Sequence, residues 1–288
     1  MTATDKAGEL LKVLRLESIE TNLFRGQNEA RNGARLFGGQ VVAQALASAA
    51  KTVDEDRPCH SLHAYFLRPG ASTIPVLYSV ERIRDGRSFS TRRIVAIQKG
   101  EAIFSMDVSF QIHESGLTHQ HDMPDMPMPE SLEDDMEVAK RMQTKQALPG
   151  WSTRERPFDV RSVYPLDESR PNNNMSPVWL RFRRPAPDKR YLHQCLLAYA
   201  SDMGLIGTSM LPHRHSVDRQ RVQMASLDHA LWFHQSFAAD DWILYIKETT
   251  TAAAARGFNR GAFYTRDGTL VASALQEGLM REIQLGQS

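Results

Sequence analysis

At 288 residues the chain is long enough for two packed units, because single hydrophobic cores stop growing at about 250–300 residues. A hydrophobic share of 41% suits a globular chain, and a net charge of +1 gives no electrostatic basis for a nucleic-acid or anionic-membrane partner. Cys59 and Cys195 are the only cysteines and form no Cys-x-x-Cys pair, which argues against a disulfide framework and for a reducing compartment.

Charged Asp5 and Glu9 interrupt the apolar start, so no secretory signal is expected there. Residues Ala7 to Ile19, with Leu10, Leu11 and Leu14 at helical spacing, read as a short amphipathic helix. Gly38-Gly39 then open a small-residue apolar helix through Leu46, followed by a strand at His60–Pro69. An alternating, strand-like run from Val76 to Gln111 has turn marks at Asp85-Gly86 and Lys99-Gly100. After Gln111 the composition changes, with residues 114–135 rich in Met, Pro, Asp and Glu. A charged helical patch is expected at Leu132–Gln146, and residues 151–175 read as irregular. A strand at Val178–Arg183 leads into a second helical pattern around His193–Asp202. Beyond it lie a strand at Ser226–His234 and a final strand region from Trp242 to Arg281. No apolar run approaches the ~20 residues of a membrane span. The terminal Leu285-Gly286-Gln287-Ser288 is not a Ser-Lys-Leu peroxisomal address, so a cytoplasmic location is expected.

Helix, strand, then long antiparallel strands thus occur twice in the same order. Each sheet is best buried around its own helix, and joining the two edge to edge removes two exposed edges. The alternative is an unrelated α+β pair. Expected units are residues 1–113, a linker at 114–175, and residues 176–288.

The two copies differ where chemistry would sit. On a helix Cys195, Tyr199, Asp202 and Ile206 share one face, which turns a carboxylate toward apolar neighbours; gapless alignment sets Ser48 opposite it. The alternative for Asp202 is a solvent-facing helix end near Gly204. Strict alternation puts Met224, Ser226, Asp228 and Ala230 on one face and Leu227, His229 and Leu231 on the other. In the last strand Leu270, Ala272, Ala274 and Gln276 share a face whose small residues let a helix approach, bringing the Gln276 amide near Asp202. Such an amide can both donate and accept around a water. No G-x-S-x-G elbow, P-loop or G-x-G-x-x-G is present. His60/His63, His119/His121 and His213/His215 lack further ligands at a persuasive spacing, so no metal is expected. Arg82, Arg84, Arg87, Arg92 and Arg93 read as a solvated hairpin, with a phosphorylated ligand as the alternative.

Several segments together resemble the type II acyl-CoA thioesterases, a double-hotdog family. In the first half they are Leu36-Phe37-Gly38-Gly39-Gln40-Val41-Val42-Ala43-Gln44-Ala45, His60-Ser61-Leu62-His63-Ala64-Tyr65-Phe66-Leu67-Arg68-Pro69-Gly70 and Arg84-Asp85-Gly86-Arg87-Ser88-Phe89. In the second they are Tyr199-Ala200-Ser201-Asp202, Ser226-Leu227-Asp228-His229-Ala230-Leu231-Trp232-Phe233-His234, Ala255-Arg256-Gly257 and Gln276-Glu277-Gly278. The resemblance implies an α+β double hotdog, two antiparallel sheets each wrapped around a long helix and joined into one continuous sheet. It implies Asp202, Ser226 and Gln276 as the catalytic set that activates water, with no metal and no organic cofactor. Ser226 stands where the family often has Thr, keeping the hydroxyl and losing the methyl.

The expected reaction is hydrolysis of a medium- to long-chain fatty acyl-CoA to free acid and CoA. Backbone N–H groups near Gly39 and Gln40 are the expected oxyanion donors, and His60 is expected as a polar pocket residue. Substrate and water are the expected partners, in a homodimer or homotetramer. The rival readings are a hotdog hydratase or dehydratase using Asp228-His229, and a non-catalytic acyl-CoA binder.

Overall fold

The computed structural model describes residues 5–29, 35–143, 155–166, 168, 170–171 and 173–283. The first half runs α1 (Lys6–Val13), β1 (Glu17–Glu20), β2 (Leu23–Gly26), α2 (Gly38–Ala50), β3 (Cys59–Phe66), β4 (Val76–Asp85), β5 (Phe89–Gln98) and β6 (Glu101–Gln111). The second runs α3 (Asp135–Gln143), β7 (Phe158–Ser162), β8 (Met175–Phe182), α4 (Arg190–Ser201), β9 (Val222–Ser226), β10 (Asp228–Phe233), β11 (Ile243–Ala253), β12 (Arg256–Thr265) and β13 (Leu270–Glu282). A 3-10 stretch, Ile206–His213, follows α4.

All strands form one 13-stranded sheet in the order β1-β2-β4-β5-β6-β3-β10-β13-β12-β11-β8-β7, with β9 pairing β13 off that path. The halves are mirror-ordered about the β3–β10 junction, where Ser61 to Tyr65 pair antiparallel with Trp232 to Asp228. Each half curls around its own helix. The helix α2 is buried from Gly39 to Ala49, as expected of a helix that is apolar nearly all round. Its buried Gln44 is fully used: the amide donates to Val13 O and Gln27 O, both at 2.7 Å, and accepts from the Tyr78 hydroxyl at 2.7 Å. One polar side chain therefore ties α1, the end of β2 and β4 to the central helix, with no unmet polar atom.

The start of α2 lies against the end of α4. A Cβ on Gly39 would sit 2.4 Å from the Tyr199 carbonyl oxygen, so glycine is what permits the approach. Farther along α4, the Gln194 amide donates to Cys59 O at 2.6 Å and accepts from Cys59 N at 3.2 Å, binding the second helix to the first half's junction strand.

Three expectations change. The leading helix ends at Val13 rather than near Ile19. Residues Glu17 to Glu20 instead form an exposed, charged edge strand, and Ile19 lies in it. The expected linker carries α3 and also β7, which extends the sheet by pairing Phe158 with Phe182 and Ser162 with Val178. Its Met-rich part packs outside the second half: Met123, Met126 and Leu132 cover a separate core of Trp179, Trp242, Leu244, Ile246 and Tyr264. Trp179 Nε1 donates to Pro127 O at 2.8 Å. The expected helical patch appears as α3; residues 144–146 lie outside the described residues.

Replacing Gly39 with Ala is expected to force the two helices apart and to destabilise the fold by roughly 1–3 kcal/mol, the usual range for overpacking. The urea midpoint reads this directly, and an unchanged midpoint would mean the contact yields without strain.

Candidate active site

Asp202 is the C-cap of α4, with φ −84° and ψ −6°, and only 7% of its surface is exposed. A carboxylate at the C-terminal end of its own helix meets the negative pole of that helix. The compensation comes from the other half, because the N-terminal turn of α2 points its positive pole at the same group. Gly39 N–H donates to Asp202 Oδ2 at 2.9 Å. On the other side Gln276 Nε2 donates to Asp202 Oδ1 at 2.8 Å. Tyr245 secures the turn, its hydroxyl donating to Ser201 O at 2.7 Å. Burial, and then the nearby Asp202 charge, push that phenol well above its ordinary pKa.

Gln276 is fully buried on the inner face of β13, among Ala272, Ala274 and Gly278. Its Nε2 also lies 3.2 Å from Ser226 Oγ and 3.2 Å from His229 Nδ1. Strict alternation would put Ser226 and His229 on opposite faces. The strand breaks at Leu227 instead, whose N–H donates to Glu277 O while its carbonyl accepts from Phe66 N–H. β9 and β10 are therefore separate segments, and both side chains reach the same amide.

His229, expected beside Asp228 in the rival hydratase reading, is completely buried. Its Nδ1 accepts from an amide, so the neutral ring carries its proton on Nε2 and donates to Ser201 Oγ at 2.8 Å. Ser201 Oγ in turn donates to Ala198 O at 2.8 Å. Burial lowers the His229 pKa from 6.5 to about 4.

The structure thus brings Asp202, Ser226 and Gln276 together at the start of α2. It engages the two expected oxyanion amides otherwise: Gly39 N–H is taken by the carboxylate, and Gln40 N–H donates to Phe37 O at 3.1 Å. The Gln40 side chain braces the preceding segment, accepting from Glu29 N and donating to Asn28 Oδ1. His60 stands apart. Phe66, at the far end of β3, is the residue that touches Gly38, and His60 is six positions away, about 20 Å along an extended strand. His60 instead meets Ser109 Oγ at 2.7 Å and packs edge-on against Phe89. Ser48, the residue aligned with Asp202, is buried within α2 and donates to Ala45 O, so the first copy has no carboxylate there.

The arginine cluster disperses as well. Arg92 is buried and bonded to Thr52, Arg84 O and Asp85, and Arg93 pairs with Asp107. Among the described residues, no three His, Cys, Asp or Glu side chains are grouped to hold a metal ion, and no helix is long and apolar enough to cross a membrane.

The fold class is that of the hotdog proteins. A hotdog-fold protein from Alicyclobacillus acidocaldarius, 18% identical, superposes with a TM-score of 0.78 over 96% of this chain and 98% of its own. Residues 28–111 match the family described as the acyl-CoA thioesterase N-terminal domain, and residues 151–279 match the family described as acyl-CoA thioesterase. Acyl-CoA thioesterase 2 of Haemophilus influenzae is 38% identical, covering 96% of this chain and 99% of its own length. An acyl-CoA thioesterase II from Mycobacterium marinum is 41% identical with a TM-score of 0.80, covering 95% and 98% of the two chains. The chain belongs to the acyl-CoA thioesterase family and is a thioester hydrolase.

A buried neutral histidine makes stability depend on pH. The unfolded ring takes up a proton below about 6.5 and the folded ring only near about 4. Its stabilising contribution is therefore complete above pH 6.5, falls as pH drops through that window, and levels off below it. At ~1.36 kcal/mol per pKa unit the loss is on the order of 3 kcal/mol. Urea unfolding of the wild type and His229→Gln should diverge by this much between about pH 7 and about pH 4. Parallel curves would rule out titration of this ring.

Proposed function

We propose that this chain hydrolyses fatty acyl-CoA of medium to long chain to the free acid and CoA, by direct attack of water on the thioester carbonyl. The observation that carries the reading is the Asp202 carboxylate, held between the Gln276 amide at 2.8 Å and the Gly39 N–H at 2.9 Å, with Ser226 on the same amide. Asp202 accepts a proton from a water held by the Ser226 hydroxyl, with Gln276 fixing the carboxylate, and the water oxygen bonds to the carbonyl carbon. The tetrahedral intermediate then collapses with cleavage of the C–S bond, and the proton on Asp202 returns to the leaving CoA sulfur. Negative charge on the carbonyl oxygen is stabilised by the positive end of α2. With Gly39 and Gln40 engaged, the Gly38 N–H is the first-turn amide that serves as donor.

The hydratase reading needs an imidazole open to substrate. His229 is fully buried with both ring nitrogens engaged, and Asp228 Oδ1 accepts from Glu277 N–H at 2.6 Å, which favours hydrolysis. A cytoplasmic homodimer or homotetramer fits the two buried free cysteines and the exposed Tyr65 on the outer face of the junction.

Asp202→Asn is expected to lower kcat roughly 10²–10⁴-fold, the usual contribution of a general base. Release of free CoA thiol across a series of acyl chain lengths measures it and the chain preference together. Near-normal turnover in this variant would remove Asp202 from the mechanism.

A further inference from the structure

Two buried side-chain atoms beside the site have no hydrogen-bond partner among the described residues: Gln276 Oε1 and Asn259 Nδ2. One is an acceptor and the other a donor. Asn259 and Gln276 are direct partners across β12 and β13, and each is 0% exposed. Opposed residues of an antiparallel pair have Cβ atoms about 4.5–5.5 Å apart, so the two amides lie within reach of each other. Leaving both unmet in a dry interior would cost far more than a small amide rotation or one bridging water.

The Asp202 carboxylate fixes the Gln276 amide, and the Gln276 oxygen in turn fixes which way Asn259 faces. Asn259 Oδ1 accepts from Ser209 Oγ at 2.9 Å. Turning that amide over would set its oxygen against Gln276 Oε1, acceptor against acceptor. Turning the Gln276 amide would set its oxygen against the Asp202 carboxylate. Ser209 itself is brought in by Gly257, where a Cβ would stand 2.3 Å from Ser209 Oγ. The 3-10 stretch after α4 is thereby laid directly on β12.

We propose that Asn259 is a positioning residue for hydrolysis: its Nδ2 donates to Gln276 Oε1, directly or through one water, and holds the amide with its Nε2 on Asp202. The chain Ser209, Asn259, Gln276, Asp202 then runs from the 3-10 stretch to the carboxylate with every donor matched to an acceptor. His229 Nδ1, an acceptor on the far side of the same Nε2, biases the amide in the same sense. This rests on the reading that Gln276 serves the hydrolytic reaction.

The test is a kinetic double-mutant cycle on the intact protein, measuring CoA thiol release from a long-chain acyl-CoA. Asn259→Ala should lower kcat roughly tenfold, the scale of one lost buried hydrogen bond, while KM changes less than about twofold. In a Gln276→Ala background the same substitution should alter kcat by less than about twofold, because the group it acts through is gone. Equal losses in both backgrounds would overturn the proposal while leaving the role of Gln276 intact. If Gln276→Ala by itself leaves turnover unchanged, the hydrolytic reading of Gln276 falls and this proposal with it. Should Asn259→Ala fail to fold, Ser209→Ala replaces it: it keeps Asn259 and removes only the bond that anchors its Oδ1, and its smaller loss of kcat should also vanish without Gln276.

Discussion

The rest of the structure depends on how one buried carboxylate is made tolerable. Asp202 ends α4, where the peptide dipoles of its own helix oppose a negative charge, and little water reaches it. Desolvating such a group is expensive unless opposite charge or donors are preorganised around it. Here the first turn of the antiparallel α2 supplies a backbone donor and the positive pole of a second helix. That requires the two helix ends to touch, which is why Gly39 meets the Tyr199 carbonyl. It also requires a fixed junction between the halves. The β3–β10 pairing and the Gln194 contacts with Cys59 provide that junction.

The two copies divide the work along this line. In the first half, buried polar groups are consumed by the fold: Gln44 links three elements to α2, and Arg92 is spent on Thr52, Asp85 and backbone carbonyls. In the second half, Asp202, Ser226, His229 and Gln276 converge on one point, with Asn259 beside it. Of the three buried side-chain atoms without partners among the described residues, two belong to Asn259 and Gln276 at that point. Buried polar groups are costly unless they are matched to one another, so natural folds keep such clusters where chemistry needs them.

The elements outside the repeat also acquire a purpose. The Met-rich segment after β6 covers the outer face of the second half, sealing Trp179 and Trp242 from water. A composition poor in periodicity gave no hint of this, because an extended strap packs through scattered side chains rather than a regular face. The 3-10 stretch after α4 is similar. It lies close on β12 and β13 because Gly257 and Gly278 leave room for Ser209 and Ile206.

Periodicity and residue type in the chain alone determine the duplicated helix-and-sheet plan, the small-residue face of β13 and the carboxylate near the end of the second helix. These are local properties, set by side-chain size and by spacings of 2 and 3.6 residues. Spacing could not show that the leading helix would stop at Val13, since Glu17 to Glu20 become a strand only by finding β2 as a partner. Nor could it show the break at Leu227, which is made by hydrogen bonds to Glu277 and Phe66 from elsewhere in the chain and turns Ser226 and His229 onto one amide. The engagement of Gly39 by Asp202, the distance of His60 from the site and the pairing of Asn259 with Gln276 were likewise decided only by tertiary structure. Each depends on which strand lies beside which and on where two helix ends meet, and residues 163 or 17 positions apart carry no local sign of facing one another.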